Sequence, residues 1–155
     1  MKISKNKKKK TKQSSEENLG RKTKEKVFEG SEKQFKNIFD NISDGIVFLD
    51  KFGKILDINK KTAEIFGGSE KELVGVHFTK TGLFSSKEIL VLLGNFASVL
   101  AGKKAYLEIS FKNKKGQQIA LECSTSLLKI GGSIRILSIM RDVTERKKAE
   151  EAMRT

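Results

Sequence analysis

The chain has 155 residues, 37% of them apolar and 33% charged, with a formal net charge of +13. That length suits one domain with a core plus a tail, a single cysteine (Cys123) excludes an internal disulfide framework, and no apolar run approaches the roughly 18 residues of a membrane span. The basic start "MKISKNKKKK" is not followed by the apolar stretch of a secretory signal, so a cytoplasmic location is expected.

The charge is uneven. Residues 1–30 hold eleven Lys/Arg and four Glu, against 21 and 15 in the remaining 125, so the tail carries +7 and the rest only +6. From 1 to 26 nearly every residue is polar, too polar to offset chain entropy by burial, and a disordered Lys-rich tail is expected there. It serves either as a solvating linker or as an electrostatic contact with nucleic acid or anionic lipid.

"SEKQFKNIFDNI" sets Phe35, Ile38, Phe39 and Ile42 on one helical stripe, with Ser31 and Gln34 at capping-box spacing. "DGIVFLDKFGKILDIN" predicts a two-strand hairpin turning at Gly53. Asn59 stands at its exit, placed to cap a short helix "KKTAEIF" that closes on Gly67 and Gly68; an ordinary cap contributes about 1 kcal/mol. "SEKELVG" repeats the box with Ser69 and Glu72, and Ser85 and Glu88 open a longer helix to Gly102 whose inward face is predicted from Ile89, Leu92, Leu93, Phe96 and Leu100.

Three strands follow. Leu107, Ile109 and Phe111 alternate with polar neighbours, as do Ile119, Leu121, Cys123, Thr125 and Leu127; a Gly131-Gly132 turn leads to "SIRILSIM", which is apolar on both faces as a central strand should be. "RDVTERKKAEE" then runs into a charged helix, with Asp142 and Glu145 at capping-box spacing. The expected fold class is α+β: a five-stranded antiparallel sheet with helices packed on one face. The expected domains are the tail over 1–26, a folded domain over 27–142 with an N-terminal flanking helix, and an exit helix over 143–155.

The stretches from Phe35 to Phe78, "FKNKKGQQIALECSTSLL" and "RDVTERKKAEE", in this order, resemble the Per/Arnt/Sim (PAS) sensor domains of sensory histidine kinases over about 120 of the 155 residues. The resemblance implies a sheet with its last strand in the centre, a pocket between the sheet and the long helix, and output through the terminal helix. It also implies a homodimer through the flanking helices, and a downstream kinase or other effector of two-component signalling. On that reading Asp142, Thr144 and Glu145 transmit the signal.

Catalytic chemistry is missing. There is no ATP lid, the glycine pairs lack the Lys/Ser follow-on of a phosphate cradle, and one histidine builds neither a catalytic triad nor a metal site, so the chain is not expected to be an enzyme. His77 lies in the loop before the long helix, not on it as in the haem-binding members, and Cys123 lies on a strand, not in the Asn-Cys-Arg stretch of the covalent flavin binders; both cofactors are disfavoured. Phe66, Leu93, Phe96, Leu107, Ile109, Leu121 and Cys123 form either plain core or the walls of a cavity for a small apolar ligand. The competing function is a dimerising regulator of transcription, with the basic tail contacting nucleic acid.

Overall fold

The computed structural model describes residues 20–22 and 29–154. Within the stretch expected as a tail, residues 20–22 are helical; the rest of 1–26 and the expected boundary at 26/27 lie outside the described residues. The chain divides into two units, residues 1–38 and 39–155. Helix α1 (29–41) begins in the first, where Phe35 and Ile38 are exposed, and ends in the second, where Phe39 is buried and stacks on Phe48 with ring centroids 6.1 Å apart. Ser31 does not cap α1, because residues 29 and 30 are already helical.

The second unit continues with β1 (Gly45–Asp50), β2 (Ile55–Ile58), α2 (Lys60–Phe66), α3 (Glu70–Leu73), a 3₁₀ turn (Phe78–Lys80), α4 (Ser86–Leu100), β3 (Ala105–Lys112), β4 (Gln118–Ile130), β5 (Ser133–Asp142) and α5 (Thr144–Arg154). All strand pairs are antiparallel, in the spatial order β2-β1-β5-β4-β3, so the last strand is the central one.

Local chemistry sets the turns. Asp50 Oδ1 accepts from the backbone N–H groups of Phe52 and Lys54 at 2.9 and 3.0 Å, and Gly53 takes a φ of 94° that a side chain would resist. Ser85 and Glu88 form the reciprocal capping box that starts α4. In the β3–β4 turn the buried Asn113 accepts from Lys115 N and Gln117 N and donates to Ile65 O, tying the turn to the end of α2.

Alternate residues of the strands bury one face of the sheet: Val47 and Leu49, Leu107, Ile109 and Phe111, Leu121 and Cys123, Ile136 and Met140. The helices between β2 and β3 cover that face, with Leu73 and Val99 wholly buried. At about 1.5–3 kcal/mol for each large aliphatic or aromatic side chain removed from water, this face is the main source of stability. The sequence suggests β5 is buried on both sides, but Ile139 on the outer face is 41% exposed, since the helices between β2 and β3 cover the opposite face.

A cavity over the sheet and a polar junction at its exit

Between the buried face of the sheet and α4 lies a cavity of about 90 Å³. Phe66, Phe96, Leu107, Ile109, Leu121 and Cys123 line it. Leu93 does not: it is 41% exposed, and Leu92, Asn95 and Phe96 face the cavity instead. Because α4 is apolar nearly all round, its sequence stripe is ambiguous by one residue, and contact with the sheet selects the face of Leu92, Phe96 and Val99. Phe78 packs on Phe96 at 5.2 Å, and Phe66 meets Phe84 and Phe111 edge-to-face in a three-ring cluster with centroids 5.1–6.4 Å apart.

Sequence reading missed the polar part of this lining: Thr81, Asn95, Thr125 and Ser138. Strand parity is the signal for two of them, since Thr125 shares the parity of Leu121 and Cys123, and Ser138 that of Ile136 and Met140. Burial pushes the Cys123 thiol up to about 12, so it stays protonated.

His77 lies outside the cavity. Its Nδ1 accepts from Thr79 N at 3.2 Å, its Nε2 sits 2.8 Å from Phe52 O, and its ring stacks on Phe78, so it fastens the β1–β2 turn to the 3₁₀ turn. A Cβ on Gly53 would fall 2.5 Å from that Nε2, a second reason for glycine there. Among the described residues no three His, Cys, Asp or Glu side chains stand close enough together to hold a metal.

Asn59 is 1% exposed and does more than cap α2. Its Oδ1 accepts from Thr62 N at 3.0 Å and Ile46 N at 2.9 Å, and its Nδ2 donates to Phe39 O at 2.9 Å and Asp44 O at 3.0 Å. One carboxamide thus joins the end of α1, the start of β1 and the start of α2.

At the other end of the sheet, only Val143 separates β5 from α5. Val143 is buried and its N–H donates to Ala120 O at 2.9 Å. Thr144 Oγ1 donates to Asp142 Oδ1 and accepts from Ala120 N at 3.0 Å, so one hydroxyl ties the helix start to β4 and to the end of β5. Asp142 Oδ1 also accepts from Thr144 N at 3.0 Å. The expected capping box with Glu145 does not form: the Glu145 carboxylate points to solvent and pairs with Lys148 at 3.6 Å, because Asp142 is still in the sheet ladder and bonds two residues ahead, not three.

No α5 side chain is buried; ion pairs hold the helix on the outer face of the sheet. Glu108 and Glu122 are direct cross-strand partners, a like-charge pair that is destabilising on its own. Lys147 pairs with Glu108 at 3.3 Å and Arg146 with Glu122, while Arg141 reaches Asp44 at 3.4 Å. The Arg146 hydrogen bond holds the Glu122 carboxyl below its ordinary range, and Glu122 in turn raises Arg146. These four side chains also escaped the sequence reading, since nothing local in the chain links Arg146 or Lys147 to strands so far upstream.

The family described as PAS domain matches residues 43–145. The methyl sulfide methyltransferase-associated sensor of Methanosarcina acetivorans is 32% identical over 125 residues, which are 80% of this chain and 12% of the relative. Sporulation kinase E of Bacillus subtilis is 33% identical over 130 residues, 81% of this chain and 16% of the kinase. The chain therefore spans less than a fifth of these curated relatives. Among solved structures, the PAS domain of the HTR-like protein from Haloarcula marismortui superimposes with a TM-score of 0.65 at 25% identity, covering 78% of this chain and 98% of that one.

Proposed function

The chain belongs to the PAS domain family, and from that premise we propose that it is a non-catalytic signal-sensing module that passes a conformational change through α5 to an effector such as a histidine kinase. The observation that carries this reading is the junction at Val143 and Thr144: the central strand enters the helix with no Gly or Ser between them to absorb movement, and the helix buries no side chain and is held by polar contacts. Support for a kinase as effector comes from relatives that are named as sensors and kinases.

Dimerisation through the flanking helices belongs to the same proposal. Ile38 on α1 is 58% exposed and Met153 on α5 is 88% exposed, apolar groups suited to pairing with a second copy. The cavity is the sensing site for a small, mostly apolar ligand, without haem or covalent flavin. In support of that exclusion, His77 is engaged by Phe52 and Thr79, and Cys123 is a buried neutral thiol. Copurification of a Soret or flavin absorbance band would contradict it.

The test is a fusion of the full chain to a dimer-dependent reporter enzyme, comparing Asp142→Ala, Thr144→Val and the double variant with the parent. Transmission predicts that output falls further than the loss in thermal midpoint accounts for, most of all in the double variant. Output that merely tracks global stability would reduce the junction to a structural role.

A further inference from the structure

We propose that the cavity takes a small uncharged molecule bearing one hydroxyl or carbonyl oxygen, and that the Thr125–Ser138 pair binds this oxygen. The inference rests on the cavity being the sensing site, and adds the chemistry of what enters it.

Size comes first. A cavity of about 150 Å³ holds benzene, so the 90 Å³ here suits a molecule smaller than benzene. Charge comes second. Among the described residues no Asp, Glu, Lys, Arg or His lines the cavity, and its thiol is protonated, so a carboxylate or ammonium group would enter with no described charge to offset its lost hydration.

The polar groups supply the rest. Thr125 on β4 and Ser138 on β5 are opposite each other in register, and their hydroxyl oxygens lie 3.1 Å apart. One hydroxyl hydrogen makes that bond; the other is left to donate, and both oxygens keep lone pairs to accept. The pair therefore offers a donor and acceptors within an otherwise mainly apolar wall of Val47, Leu49, Phe96 and Met140. A purely hydrocarbon ligand would cover this hydroxyl without a partner, whereas an alcohol or carbonyl oxygen satisfies it. Ser138 also pairs with Val47 on β1 and precedes Asp142 on the same strand, so an oxygen inserted at the pair acts on the strand that leads into α5.

The full chain, nitrogen-15 labelled, is titrated at neutral pH with butan-1-ol, cyclopentane and sodium butyrate, following amide shifts by NMR. Butan-1-ol should move the amides of Cys123–Thr125 and Leu137–Ile139 saturably, with cyclopentane weaker and butyrate without effect. Thr125→Val and Ser138→Ala, each checked for a dispersed spectrum, should weaken butan-1-ol about tenfold while leaving cyclopentane binding unchanged or tighter. Saturable binding of butyrate at those amides, equal binding of cyclopentane and butan-1-ol by the parent chain, or no saturable shift with butan-1-ol overturns the assignment. The parent-chain comparisons decide it even if a variant does not fold. An alcohol that binds without changing reporter output would instead refute transmission and leave the ligand chemistry standing.

Discussion

Two junctions in this domain fasten a helix to the end of a strand, and they are built in opposite ways. At β2–α2 the link is Asn59, sealed from water and bonded to backbone groups of three elements. At β5–α5 it is Thr144 and a set of exposed ion pairs. Buried bonds that would be left unsatisfied if broken act all or none, whereas exposed polar contacts exchange with water at little net cost. The first junction is suited to hold the scaffold fixed, and the second to shift between arrangements.

Substitutions at the two sites measure that contrast. Asn59→Ala should have the largest effect, about 3 kcal/mol, because it removes the cap and strands the Ile46 N–H and the Phe39 and Asp44 carbonyls as well. A loss near 1 kcal/mol in denaturant unfolding would mean that Asn59 is only a cap and that the contrast is overstated. Thr144→Val should cost less, about 1.5 kcal/mol, by leaving Ala120 N without its acceptor. Its effect should concentrate locally, as faster hydrogen exchange in α5 with the core amides of β1 and β4 still protected.

Glu122→Gln should move the unfolding midpoint least of the three and still loosen α5, a combination visible as faster exchange over Thr144–Arg154. Acid should act similarly. Because Arg146 depresses the Glu122 carboxyl in the folded state, the contact is fully present above the ordinary carboxylate range and is lost as pH falls through the lower folded value. Added salt should loosen α5 in the same direction. If α5 exchange at neutral pH is insensitive to both salt and Glu122→Gln, the ion pairs do not hold the helix and the junction at Thr144 acts alone.

Much of this was legible in the chain because it depends on near neighbours. Asn59 before "KKTAEIF", Ser85 with Glu88, and the alternation from Ile119 to Thr125 each carry their own local signal, and the structure shows the expected cap, box and strand face. The face of α4 was not legible, since Leu92 and Leu93 are equal in hydropathy and only the sheet opposite selects between them. Asp142 and Glu145 have the right spacing for a box, but spacing cannot reveal that Asp142 is held in the ladder beside Leu121. The bonds Asn59 makes beyond its cap, and those of Arg146 and Lys147, join residues far apart in sequence and follow only from the strand order.

That order also dictates when the sheet can exist. β5 lies between β1 and β4, pairing Gly45 with Met140 and Leu121 with Asp142, yet it is the last strand in sequence. As the chain emerges from the ribosome, β1–β2 and β3–β4 can each form a hairpin, but no strand pairing joins the two halves of the sheet until Ser133–Asp142 is available. Closing so long a loop is a slow, late event. A nascent chain halted before Ser133 would therefore hold two ribbons not paired to each other, each with an open edge, and the arrival of one strand turns them into a single sheet.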